Sequence, residues 1–185
     1  MNEIYAKIIA AVRAVEDLPY DGEEVDQLHH ALQSAALARE SGRGPELVVA
    51  ALLHDMGRSP MVVQEVGVSG GHGNVAKRWL APLVGERIAW LAEQHVPAKR
   101  YLVATDPSYE LSETSRRTLE KQGGPMSPEE VAEFERHPGW HEAVELRRWD
   151  DLGKDPCAEV PPLEAYAEEL KTVIAANEKE LDPTY

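Results

Sequence analysis

Six side chains of the kinds that bind divalent metals are spread along this chain: His30, His54, Asp55, His72, His95 and an acid within Trp149-Asp150-Asp151. Hard and borderline divalent metals take imidazole and carboxylate ligands, and a site needs several converging on one point. His54 and Asp55 end the stretch Leu47-Val48-Val49-Ala50-Ala51-Leu52-Leu53, which is continuously apolar. Such a run fits a helix buried on most sides. A carboxylate at the end of it needs a cation, because burying an unpaired charge is very costly. A metal ion supplies one and also occupies a nitrogen of His54. An isolated doublet is served as well by a hydrogen bond between its own members. The metal reading therefore depends on ligands from elsewhere, and the other candidates lie on or at the ends of helices with apolar faces. His137 and His141, beside Glu135, Arg136 and Glu142, read as exposed. His29 sits about 100° around the helix from His30, so the two cannot face the same neighbour. Spacing does not separate Asp150 from Asp151.

The elements that position these residues read as helices throughout. Ile4, Ile8, Ala11, Val12 and Val15 repeat with helical period before Pro19. Tyr20-Asp21-Gly22-Glu23 reads as a turn leading into a helix with Val25, Leu28, Leu32, Ala35 and Ala36 on its apolar face, stopping near Ser41-Gly42. Residues 58–71 read as a loop, followed by a helix around Val75 to Leu80 with His72 at its entrance. Pro82 and Gly85 read as breaks, and Val96 to Leu102 as a strongly cationic turn. Further helices are expected over 112–121, 127–136 and 140–152. Ser127-Pro128-Glu129-Glu130 supplies an N-cap, a proline at the first helical position and acids in the first turn. A last helix, about 161–180, carries Leu163, Tyr166, Leu170, Val173 and Ile174 at core spacing. No strand alternation stands out. The expected fold is all-α, a single domain over 1–185 with the metal site within about 20–154.

Bulk properties narrow the partners. A net charge of −14 argues against nucleic acid or an anionic membrane surface, which demand a basic footprint. The single cysteine, Cys157, suits a reducing compartment. With no leader-like opening and no membrane-length apolar run, a cytoplasmic protein is expected.

The order H…HD…H…H…D resembles the HD-domain superfamily, helical metal-dependent proteins best known as phosphohydrolases, and the two extra histidines favour its two-metal members. That resemblance implies an HD-domain helical bundle with Asp55 bridging two ions. His30, His54, Asp55 and Asp150 would hold one ion, and Asp55, His72 and His95 the other; Asp150 is preferred to Asp151 because it lines up with the family ligand. Five stretches resemble a narrower branch, the HD-domain mixed-valent diiron oxygenases that cleave carbon–phosphorus bonds. They are Tyr20-Asp21-Gly22-Glu23 with Gln27 to Gln33, Ala51 to Gly57, His95 to Leu102, Leu119 to Met126, and Leu146 to Asp150.

This narrower resemblance implies two iron ions, Fe(II)/Fe(III), and a small anionic phosphonate substrate used together with O2. The carbon–phosphorus bond of a 1-hydroxyalkylphosphonate would be cleaved to a carboxylate and inorganic phosphate. The alternative is a metal-dependent HD phosphohydrolase of a nucleotide or phosphate ester. Lys99, Ser115, Thr118, Gln122 and Arg147 would hold the phosphonate; the last lies three residues before Asp150 and so on the same helix face. Tyr20 and Glu23 would form a lid at the second iron, the phenol hydrogen-bonded to Glu23. Three departures bear on the substrate. Arg58 stands where the glycine-forming enzyme has a histidine and could add positive charge for the phosphonate. Gly73 follows His72 where an acid is common, and Asp21 replaces an apolar residue and could face a substrate ammonium.

Overall fold

An apolar helix has to be surrounded, and the architecture follows from that requirement. The computed structural model of the protein describes residues 2–20 and 22–182. Among them are ten α-helices: α1 (Asn2–Arg13), α2 (Gln27–Glu40), α3 (Pro45–Leu53), α4 (Pro60–Val66), α5 (Gly71–Val84), α6 (Glu86–Thr105), α7 (Glu113–Lys121), α8 (Pro128–Phe134), α9 (Trp140–Leu152) and α10 (Ala167–Leu181). Every side chain from Leu47 to Leu53 is buried, so α3 runs through the core with α2, α6, α9 and α10 packed around it. α5 lies along α6, and α8 touches α6 near its C-terminal half. The fold is all-α, as expected; among the described residues the only β pairing is an isolated bridge between Pro19 and Asp26. Among the described residues no helix is long and apolar enough to cross a membrane.

Proline explains both the agreements and the differences. Pro45, Pro60 and Pro128 stand in the first turns of α3, α4 and α8, where a missing N–H removes no intrahelical bond. Ser127 and Glu130 close a capping box on α8. The loop expected over 58–71 instead contains α4. Only Val62 of that helix is buried, so it leaves too little apolar period to read. Pro82 does not end α5, which continues to Val84. The cationic turn expected from Val96 to Leu102 is also absent: α6 runs 20 residues, straight through Pro97. An interior proline costs about 3 kcal/mol or more in an isolated helix. Here Ile88, Leu91, Ala92, Ala98 and Leu102 are all buried along α6, and their packing against α5 and α9 offsets that cost.

The metal-ligand candidates, most of them near element ends and His95 midway along α6, converge beside α3. His30 stands in the first turns of α2, whose N-cap Asp26 accepts a hydrogen bond from the His29 backbone N–H at 2.7 Å. His54 and Asp55 follow α3, and a 3-10 turn at Met56–Arg58 then reverses the chain. Gly57 in that turn has no room for a side chain, since a Cβ would fall 1.8 Å from the His72 carbonyl oxygen. This contact is what lets the start of α5 close on the doublet. At Gly73 a Cβ would lie 3.1 Å from Glu93 O and 3.6 Å from the His95 ring, which accounts for a minimal residue beside His72.

Candidate metal centre and anion cavity

Among the described residues, two groups of possible ligands form around the His54–Asp55 doublet. His30, His54 and Asp150 bring one ligand atom each within 4.8 Å of one another, and so do Asp55, His72 and His95. In the first group His30 Nε2 is 3.2 Å from His54 Nε2 and 3.4 Å from Asp150 Oδ1. In the second, His72 Nε2 is 2.8 Å from His95 Nε2, and Asp55 Oδ1 lies 3.3 and 3.5 Å from those two nitrogens. Asp55 Oδ2 is 3.9 Å from His54 Nε2, so the carboxylate spans the two groups.

The backbone decides which ring nitrogen faces inward. His30 Nδ1 lies 2.8 Å from Gly153 O, His54 Nδ1 2.8 Å from Ala51 O and His95 Nδ1 2.6 Å from Ala92 O. A carbonyl only accepts, so each Nδ1 carries the hydrogen and Nε2 keeps its lone pair in a neutral ring. Burial above all drives His30 down to about 4 and His95 down to about 3, so those rings are neutral. Burial also lowers His72. His30 and His54 therefore turn lone pairs toward each other, an arrangement that a hydrogen bond cannot satisfy unless one ring takes up a proton. Asp55 Oδ1 is buried and has no hydrogen-bond partner among the described residues. An orphaned carboxylate oxygen among imidazole lone pairs is the donor set of a cation site, and the residues fit a pair of metal ions.

Charge around the centre is strongly compensated. Burial alone would raise both carboxylates. Arg58 foremost, then the imidazoles of His54, His72 and His95, outweigh it at Asp55 and hold that carboxyl well below its usual range. Arg147 does the same for Asp150, with help from His54, His30 and His95. Arg147 is itself buried and donates to Asp150 Oδ2 at 2.6 Å, to Asp151 and, through Nε, to the Tyr109 hydroxyl at 3.1 Å. Asp151 is taken up by these partners and by Lys154 at 3.6 Å, which leaves Asp150 as the acid that faces the histidines.

A cavity of about 40 Å³ opens on this centre, and α7 forms its far wall. Lys99 stands one turn beyond His95 on α6 and donates to Thr118 Oγ1 at 2.9 Å; burial pulls it down to about 8. Ser115 Oγ is 3.4 Å from Arg147, and Gln122 has a buried Oε1 without a partner among the described residues. All five residues expected to hold the phosphonate line the same cavity, as do Tyr20, Glu23 and Arg58.

Three expectations differ from the structure in detail. The Tyr20 phenol lies against the first group, not the second: it donates to Asp150 Oδ1 at 3.1 Å, and its ring sits 4.1 Å from that of His30. Burial foremost, then Asp150, holds that phenol well above its usual range, so it stays protonated. Glu23 accepts from the Ser112 hydroxyl at 2.8 Å, not from Tyr20, because its turn packs on the start of α7. Arg58 donates to Asp55 Oδ2 at 3.1 Å, so its first partner is the doublet itself. Asp21 lies outside the described residues. The sequence reading missed Lys154 in the cavity wall, along with Tyr109 and Ser112, which hold Arg147 and Glu23, and it weighed Asp151 only as a ligand and not as a partner of Arg147. Lys154 follows Asp150 by four residues, a spacing that could have flagged it. His137 and His141 are exposed, as expected.

Residues 28–131 match the HD domain family, and the chain belongs to it. Two relatives place it more narrowly. It is 42% identical over 162 residues to the hydroxymethylphosphonate dioxygenase of Gimesia maris, covering 84% of this chain and 80% of that protein. It is 36% identical over 164 residues to the 1-hydroxy-2-(trimethylamino)ethylphosphonate dioxygenase (glycine-betaine-forming) of Leisingera caerulea, covering 85% and 84%. Within the HD domain family the chain thus belongs with the phosphonate oxygenases that its motifs resemble.

Proposed function

We propose that this protein is an O2-dependent oxygenase that cleaves the carbon–phosphorus bond of a 1-hydroxyalkylphosphonate, with two iron ions, Fe(II)/Fe(III), as its resident cofactor. The observation that carries the proposal is a cavity in which Asp55, His72, His95 and Asp150 face a wall of hydroxyl and cationic donors, with His30 and His54 grouped on Asp150. His30, His54, Asp150 and Asp55 would hold one ion, and Asp55, His72 and His95 the other. When bound, the iron pair supplies the redox chemistry with O2 and the Lewis acidity that orients the substrate.

The protein's own part is positioning and charge. Lys99 and Arg147 offset the phosphonate dianion from two sides, while Ser115, Thr118 and Gln122 give it neutral partners along one face of α7. Arg147 stays protonated because Asp150 and Asp151 outweigh the effect of its burial. Tyr20 covers the centre through its bond to Asp150 and has to yield before a substrate can enter. For a one-carbon substrate the overall change consumes one O2 per phosphate, giving formate, inorganic phosphate and a proton with no external reductant.

Phosphate release from hydroxymethylphosphonate by iron-loaded protein, with and without O2, tests the reading. Release is expected only with O2 and in step with its consumption. Undiminished anaerobic release, or hydrolysis of a phosphate ester supported equally by Mn(II) or Mg(II), would point to the hydrolase alternative.

A further inference from the structure

α9 ends at Gly153, and the chain that follows, from Lys154 to Ala158, belongs to no helix. Its backbone is held from outside by side chains of α2. His30 Nδ1 donates to Gly153 O at 2.8 Å, and His29 Nε2 donates to Ala158 O at 3.0 Å. Between these ties stands Gln33, about one turn along α2 from His29 and buried. Its Nε2 donates to Asp155 O at 2.9 Å, while its Oε1 accepts from the Asp155 N–H at 3.1 Å. A primary amide is both donor and acceptor, so Gln33 meets both polar groups of one residue's backbone, as a neighbouring strand does.

Two parts of the centre depend on that segment. Gly153 O keeps the hydrogen of His30 on Nδ1, which leaves Nε2 with the lone pair that a metal takes. Lys154, between Gly153 and Asp155, stands in the cavity wall. The approach to α2 is close: a Cβ at Gly153 would lie 2.8 Å from Ser34 Oγ and 3.3 Å from His30 O. α9 itself sets only the Gly153 N–H, bonded to Trp149 O at 2.8 Å. The chain beyond it is caught two residues later, by Gln33.

We infer that Gln33 is a positioning residue for the metal centre: by clasping Asp155 it holds the Gly153 carbonyl on His30, and so helps retain the ion that His30, His54 and Asp150 would bind. The inference rests on the two-ion part of the reading above and is independent of the reaction. Changing the hydrogen-bond partner of a metal ligand costs about 10–100-fold in affinity; Gln33 acts one step further out, so the low end, about tenfold, is expected for one ion alone.

Gln33→Met keeps the length of the side chain and removes both hydrogen bonds. Fe(II), titrated without O2 into metal-free protein against a chromophoric chelator, should show two binding steps in the wild type. In Gln33→Met the step that His30→Ala abolishes should weaken about tenfold, with the other step held within about twofold. NMR of isotope-labelled histidine rings in metal-free protein supplies a second readout, the His30 signal being the one lost in His30→Ala. Its hydrogen should sit on Nδ1 in the wild type and be divided between the two nitrogens in Gln33→Met. Tyr166→Phe is the control, since it removes a buried hydrogen bond of 3.2 Å to Leu32 O on the same helix and leaves the 153–158 segment alone. It should melt lower and show neither effect. Gln33→Glu, which turns an oxygen on the Asp155 carbonyl, should repeat the signature and serves in place of Gln33→Met should that variant not fold. Two unchanged steps, two steps weakened alike, an unmoved His30 hydrogen, or the same losses in Tyr166→Phe would overturn the inference and leave the two-ion reading standing. Fewer than two Fe(II) steps in the wild type would overturn both together.

Discussion

Arg147 is the residue whose loss has the most clearly defined cost in this structure. Its guanidinium is buried between Asp150 and Asp151, with Asp150 1% exposed and the Asp151 side chain 19% exposed. Arg147→Met keeps the length of the stem while removing the cation, so packing changes little and charge changes completely. Breaking a buried pair by removing one partner costs about 3–5 kcal/mol, because the remaining charge is left uncompensated. Lys154, 3.6 Å from Asp151, and that acid's partial exposure argue for the lower end, about 3 kcal/mol. For a chain of 185 residues this corresponds to a Tm lower by roughly 6–12 °C. Circular-dichroism melts in the presence of EDTA are the right assay, since they remove any contribution from metal binding. Arg147→Lys should recover only part of the loss, because one ammonium cannot span both carboxylates as the fork does. A Tm within about 2 °C of wild type for Arg147→Met would refute the reasoning and mean that Asp150 and Asp151 find other partners.

Other perturbations test other parts of the centre. Asp55→Asn removes the carboxylate that spans both ligand groups, and elemental analysis should find at least one metal ion per chain lost; wild-type occupancy would count against the shared-ligand arrangement. Gly57→Ala drives a Cβ into the His72 carbonyl, so a loss of about 1–3 kcal/mol or more and weaker metal retention are expected, and an unchanged Tm and metal content would contradict that close approach. Lys99, lowered by burial to about 8, binds the dianion only while protonated, so kcat/KM should fall as pH rises through about 8. In Lys99→Gln that alkaline fall should disappear along with much of the affinity. The same lysine is harder to protonate folded than unfolded, so its charge opposes folding below about 8, and that penalty fades as pH climbs toward its ordinary value.

What the sequence disclosed follows from how local each signal is. The run from Leu47 to Leu53 is apolar on all sides, and only a central position in the fold satisfies it, so both the buried helix and the doublet at its end were legible. His72 and His95 were legible as members of a set rather than singly. Their meeting at 2.8 Å depends on α5 and α6 packing side by side and on a glycine where α5 abuts the 3-10 turn. Asp150 and Asp151 could not be separated by spacing, because both lie within reach of Arg147 three and four residues earlier. Tertiary burial, and not periodicity, turns one to the histidines and leaves the other with Lys154 and Tyr109.

The misread segments share a cause. Pro82 and Pro97 are strong local breakers, and they were overridden by burial spread over many residues of α5 and α6. That override matters for the chemistry. Because α6 continues through Pro97, Lys99 sits one helical turn beyond His95 on a rigid rod, with its amine on Thr118, and not on a loose cationic turn. A lysine held in this way meets an anion without first being ordered, which lowers the entropic cost of binding. The arginine next to it acts elsewhere. Arg100 donates to Gly124 O at 2.8 Å and to both oxygens of Glu130, tying the Gly123-Gly124 loop after α7 to α6. Adjacent cations that read alike in the sequence thus divide the work, one facing the anion cavity and the other fixing the end of the helix that lines it.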